Sequence, residues 1–208
     1  MLIKYGITCL ILISSYLPFG SASAVMIGFS PSSITVNVGD TFDVDVVISD
    51  LFASGEIVSA FDLDVTYDAA ILNATAVSFG SYLDDALGLS FQDAEFTFGR
   101  IDFSELSFLL DSELQAIQAD SFTLATLSFD ALAAGVSSLM FDQNTPPGIN
   151  VVGLDPFTSF DLDGNAGEGL VTVLAAVKVA EPSILFVMIT ALLGFAITQR
   201  KRFKRLTS

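Results

Sequence analysis

The chain has 208 residues, with 24 acidic side chains against eight basic ones and a formal net charge of −16. That imbalance excludes nucleic acid and anionic lipid as partners of its surface. The absence of His excludes Ser-His-Asp and Cys-His catalysis and a His-ligated zinc site.

The N-terminus reads as an export signal. Lys4 supplies a one-charge n-region, Ile7 to Leu17 an apolar core, and Ala22-Ser23-Ala24 an A-x-A cleavage site. Residues 1–24 are therefore expected to be a secretory signal peptide, too short for a membrane span. Signal peptidase would cut after Ala24, so that the mature chain starts at Val25. Cys9 lies inside the apolar core, so cleavage would leave no thiol chemistry.

Residues 25–178 form the body, and they hold 23 acids against Arg100 and Lys178, a net charge of −21. The body is rich in Phe, Val, Leu and Ile, so its acidity does not imply disorder. It is long enough for one domain with a sizeable core. Ser33 to Val38 reads as a strand with Ile34, Val36 and Val38 on one face, closed by the turn signal Gly39-Asp40. Phe42, Val44, Val46 and Ile48 alternate with Asp43, Asp45, Val47 and Ser49, a half-buried strand. Phe61, Leu63, Val65 and Tyr67 repeat the pattern, with Asp62, Asp64 and Thr66 facing out. A strand at Ala74 to Phe79 and one or two over Leu89 to Phe98 follow. In Arg100 to Phe108 the apolar phase slips at Ser104-Glu105, which predicts a bulge. Leu110, Leu114 and Ile117 stand at helical spacing, predicting a short helix over 111–119 capped by Asp111 or Ser112. Phe122 to Phe129 is apolar on both faces and predicts a central strand. Val136 to Phe141, Ile149 to Leu154 and Leu170 to Val179 complete about nine strands with no βα repeat. The fold class expected is all-β, an antiparallel jelly-roll sandwich.

Three stretches of this body carry a resemblance. They are Val38-Gly39-Asp40-Thr41 before an alternating strand, the strand Ser59-Ala60-Phe61-Asp62-Leu63-Asp64-Val65, and Tyr67-Asp68 with Leu72 four residues on. Together they resemble a cohesin-type domain, with Ala69 where cohesins commonly have Pro. The resemblance covers residues 33 to 80 well and implies a non-catalytic binding module, whose ligand would be a dockerin-like protein or a polysaccharide.

The sequence offers little other chemistry. No Gly-rich phosphate loop or dinucleotide fingerprint is present. The many carboxylates sit mostly at outward strand positions, where a solvated face explains them, so no catalytic residue and no enzyme is expected. Asp161, Asp163 and Asn165 match positions one, three and five of a Ca²⁺ loop, with Glu168 the nearby acid to complete it. Ala166 then stands at the Gly position, and Asp and Asn in such a loop also serve as turn formers. No other cofactor is expected. With no Trp, and only Tyr67 and Tyr82 surviving cleavage, a sugar-stacking platform is poorly supplied.

The C-terminus, 179–205, orders three parts. Glu181-Pro182-Ser183 precedes an apolar run, and Arg200, Lys201, Arg202, Lys204 and Arg205 follow it. Residues 184–198 predict a transmembrane helix of about 22 Å at 1.5 Å per residue, short against a hydrocarbon core of about 30 Å. The basic cluster is a stop-transfer signal and stays cytoplasmic by the positive-inside rule. This order resembles the PEP-CTERM sorting tail, with Ala180 where the first Pro of that family's tripeptide stands. The resemblance implies an exosortase as processing partner in a Gram-negative bacterium that makes exopolysaccharide. The protein would cross the inner membrane, stay anchored until processing, and end at the cell surface or in the extracellular matrix. An ordinary single-span anchor on a structural matrix protein without a specific ligand is the alternative.

Overall fold

The computed structural model describes residues 24–84, 88–143, 149–154, 159, 160, 162, 164–175, 188 and 192. Eleven strands are found among them: β1 (Met26–Ser30), β2 (Ser33–Asn37), β3 (Thr41–Ser49), β4 (Ala60–Thr66), β5 (Leu72–Phe79), β6 (Ser90–Thr97), β7 (Arg100–Ser107), β8 (Phe122–Ala131), β9 (Gly135–Phe141), β10 (Asn150–Val152) and β11 (Gly169–Leu174). Two short helices join them, α1 (Leu51–Ser54) and α2 (Asp111–Ile117).

The strands form a four-stranded sheet in the order β1-β3-β8-β5 and a seven-stranded sheet in the order β2-β11-β9-β4-β7-β6, with β10 pairing β4. The alternating apolar residues of facing strands interdigitate between them, the expected sandwich. Val44, Val46, Ile48, Leu63, Val65, Ile101, Phe103, Leu127 and Phe129 are all at most 1% exposed. Phe129 anchors the centre, with Phe42 stacked at 5.6 Å and Tyr67 edge-on at 5.4 Å between ring centroids.

Several details differ from the reading of the sequence. Strand β1 was not anticipated; it pairs with β3 from Met26↔Ser49 to Ser30↔Asp45. The sheets are not wholly antiparallel, because β11 runs parallel to β2 from Leu170↔Ser33 to Leu174↔Asn37. No bulge occurs at Ser104–Glu105: β7 keeps unbroken register with β4 and β6. Instead Glu105 takes the inward position, 1% exposed, and Leu106 faces out at 48%. The bulges lie elsewhere. The register of β3 on β8 shifts between Val46↔Ala125 and Val47↔Thr123, leaving Leu124 as the extra residue. That shift, rather than burial of both faces, produces the apolar pair Leu124-Ala125. Helix α2 has Leu110 at its N-cap, in place of Asp111 or Ser112. The Glu113 carboxylate accepts the Leu110 N–H at 2.8 Å, satisfying one donor by reaching back.

The expected signal peptide lies outside the described residues except for Ala24, which is exposed. The tail does too, save Met188 and Leu192, which are helical and 57% and 62% exposed. Among the described residues no helix is long and apolar enough to cross a membrane.

Candidate docking face

The outer face of the large sheet is laid out by the pairing register, because directly paired residues share a face. Glu95, Asp102 and Asp64 form one row across β6, β7 and β4. Asp93, Ser104 and Asp62 form the next, and Phe91, Leu106 and Ala60 the one beyond. On the other side of the acids, Thr97, Arg100 and Thr66 line up, and Thr66 pairs with Met140 of β9. The face thus carries an acidic band flanked by apolar side chains. Phe91 is 59% exposed, Leu106 48%, Val136 55%, Met140 44% and Leu170 42%. Exposed apolar groups next to charge are the composition of a recognition surface more than of a merely soluble one.

Arg100 is the guanidinium of this band. Its Nε and Nη2 lie 2.7 and 2.6 Å from Asp64 Oδ1, and Nη2 lies 3.7 Å from Asp102 Oδ2. Asp64 is 1% exposed and its Oδ2 is buried with no hydrogen-bond partner among the described residues. The expectation that Asp64 simply faces solvent is therefore corrected. It points outward, but the Arg100 side chain and its neighbours cover it. Burial raises the pKa of Asp64 above the ordinary carboxylate value; the Arg100 hydrogen bond opposes this, and Asp102 and Asp142 add to it. Burial and then the charges of Asp102 and Asp64 raise Asp62 likewise.

The outer face of the small sheet is of another kind. Asp45 accepts the Thr126 hydroxyl at 2.6 Å and Asp43 accepts that of Ser128 at 2.7 Å. These two carboxylates are matched by small hydroxyls, and the apolar side chain Met26 is exposed at the edge of this sheet, on β1. Neither tyrosine offers a stacking platform, since Tyr67 packs edge-on against Phe129 and Tyr82 lies 4.7 Å from Phe122.

Of the expected Ca²⁺ ligands, Asp161 and Asp163 lie outside the described residues. Asn165 is in a turn at Gly164 (φ +79°), and its carbonyl accepts the Ile27 N–H at 3.1 Å. Among the described residues no group of three or more His, Cys, Asp or Glu side chains gathers to hold a metal. The sorting residues Glu181, Pro182 and Ser183, the cations Arg200, Lys201, Arg202, Lys204 and Arg205, and the cleavage-site residue Ala22 also lie outside the described residues. Sequence reasoning missed Asp64 with Arg100, and it missed Glu105. The available signal was Arg100 itself, one of two bases in a body of 23 acids.

Comparison with known proteins agrees with this architecture. The Cohesin domain family profile matches residues 27–146. No curated protein matches the sequence. Among solved structures, a type I cohesin–dockerin complex from Clostridium thermocellum superposes with a TM-score of 0.54 at 14% identity, covering 73% of this chain and 100% of that one. A type I cohesin from Pseudobacteroides cellulosolvens gives 0.52 at 17% identity, covering 76% and 97%. A non-cellulosomal cohesin from the archaeon Archaeoglobus fulgidus gives 0.51 at 16%, covering 73% and 92%.

Proposed function

The chain belongs to the cohesin-domain family, and from that premise we propose that it is a non-catalytic docking module whose β9-β4-β7-β6 face binds a dockerin-like protein. The observation that carries the reading is the composition of that face: an acidic band between exposed Phe91, Leu106, Val136 and Met140. Apolar side chains at such a contact supply the affinity, and the carboxylates select the partner. A polysaccharide ligand is the weaker reading, because the exposed aromatics on and beside β6 and β7, Phe91, Phe96, Phe98 and Phe108, have no polar tip, and the tyrosines pack inward. Titration of the purified protein against a panel of dockerin domains tests the proposal. Leu106→Asp and Met140→Asp should each weaken binding at least tenfold, about 1.4 kcal/mol, without lowering the Tm. Ser128→Asp on the small sheet should not. Binding that ignores the first two and responds to the third would move the site to the other face.

The proposal extends to delivery. Residues 1–24 direct export and are removed by signal peptidase, and an exosortase acts at Glu181-Pro182-Ser183 once the basic cluster has halted the chain. Three features support this. The Glu-Pro pair precedes the apolar run directly, the run is short for a lasting anchor, and five cations follow it. Replacing Glu181 and Pro182 together by Ala leaves apolar length and charge for anchoring almost unchanged. It should nonetheless accumulate the full-length form in the inner membrane of the native host. A wild-type protein that keeps its tail, with or without the exosortase, would leave a plain anchored matrix protein.

A further inference from the structure

Glu105 presents a chemical problem that the docking face does not solve. It follows Ile101 and Phe103 on the inward side of β7 and is 1% exposed. Its Oε1 accepts a hydrogen bond from Gln92 Nε2 at 2.8 Å, and the same nitrogen donates to the Ser90 hydroxyl at 3.3 Å. Its Oε2 is buried and meets no partner among the described residues. A buried carboxylate is ordinarily matched by a cation or by a full set of donors.

The neighbours deepen the mismatch. Asp84 lies close enough for its charge to oppose ionisation of Glu105, after the larger effect of burial. Asp84 Oδ1 accepts the Leu89 N–H at 2.5 Å, which folds the 80–84 segment over the end of β6. The Leu83 carbonyl accepts the Ser107 hydroxyl at 2.6 Å, which fixes the same segment to β7. Arg100 is committed to Asp64 on the opposite face of the sheet. Gln92 thus joins Glu105 and Ser90 within hydrogen-bond distance, Asp84 is held to Leu89 beside them, and among the described residues no cation reaches Glu105. Oxygen donors of mixed charge suit Ca²⁺, which accepts six to eight such ligands in flexible geometry, better than Mg²⁺, which demands a near-ideal octahedron.

We propose that Glu105, Asp84, Ser90 and Gln92 hold a Ca²⁺ ion between β6, β7 and the 80–84 segment. The Gln92 amide turns over to present its oxygen, a rearrangement within its own rotamer. Both Glu105 oxygens then face the ion. The site is separate from the Asp161–Asn165 loop and does not depend on the docking reading.

The experiment is calorimetric titration of CaCl₂ into the purified full-length protein, with thermal melts in Ca²⁺, Mg²⁺ or Na⁺ at matched ionic strength. Ca²⁺ should raise the Tm by linkage, and more than the other ions. Glu105→Gln should fold with an unliganded Tm at or above that of the wild type, because it deletes a buried charge, and it should lose the Ca²⁺ response. Asp84→Asn, at a half-buried position that tolerates a neutral amide, should weaken the apparent affinity at least tenfold and serves if Glu105→Gln fails to fold. Asp163→Ala should leave the response intact. The assignment is overturned by a Tm that Ca²⁺ does not raise, by a rise that survives Glu105→Gln or Asp84→Asn, or by one that only Asp163→Ala removes.

Discussion

Asp64 is buried on the side of the sheet that faces away from the core, and Arg100 makes that tolerable. The pair is asymmetric. The Arg100 side chain is 27% exposed and Asp64 1%, so each loss has a different consequence. Arg100→Leu strands a buried carboxylate beside Asp102 and Asp62, whereas Asp64→Asn leaves a guanidinium that can turn to water. Thermal melts should show the larger drop for Arg100→Leu, by several degrees; equal drops would mean that Asp64 is hydrated in solution. The same residues set a pH dependence. Asp62 and Asp64 have pKa values raised above the ordinary carboxylate value, first by burial; Asp102 adds to both, Asp64 to Asp62 and Asp142 to Asp64, and Arg100 opposes. A raised acid binds its proton more tightly in the folded than in the unfolded state. Its contribution is therefore fully present below the unfolded value and is lost as pH climbs through the folded one. The Tm should accordingly rise as the pH is lowered from neutral toward the ordinary carboxylate range, and Asp62→Asn should flatten the slope. A Tm that falls over that window would show these carboxylates to be net stabilising as anions.

Among the elements, β3 and β4 were legible because their alternation is strict and one face of each is buried. Phe61→Ala should cost about 3–5 kcal/mol, since Phe61 is 2% exposed and packs on Phe79 and Phe103 at 6.2 and 6.0 Å. Asp43→Ser should cost under about 1 kcal/mol, because its bond to Ser128 is exposed. Denaturant unfolding of the two variants checks the phase, and similar midpoints would refute it. What the sequence hid has physical causes. Strand β1 is only five residues long with Gly28 at its centre, so period two has few positions in which to register. The parallel pairing of β2 with β11 joins segments more than 130 residues apart, and no local pattern encodes it. Leu106 looked like a core residue out of phase. It is an exposed residue in phase, and the strand holds its register by burying Glu105 instead. The candidate face suffered the same blindness: alternation told which side Asp64 occupies and put Leu106 on the wrong one, and it could not tell whether the outer side is wet, covered or offered to a partner.

At the scale of the molecule, the matched segment 27–146 is not the whole folded unit. Strand β11 lies beyond it and bonds β2 on one side and β9 on the other. A chain ending at residue 168 would leave Ile34 and Val36 without their neighbouring strand and the inner edge of β9 bare. It should lose the single cooperative melt expected of the intact chain; a truncated form that melts at the wild-type temperature would mean β11 is an accessory. The direction of that ladder has a mechanical consequence. The chain leaves the domain from β11, so a pull on anything attached beyond Leu174 is transmitted first to this strand. A pull along the strand axis loads its bonds to β2 and β9 together in shear instead of peeling them one at a time. A module tethered at that end and gripped by a partner on its broad face would meet flow or traction with a seam loaded in shear.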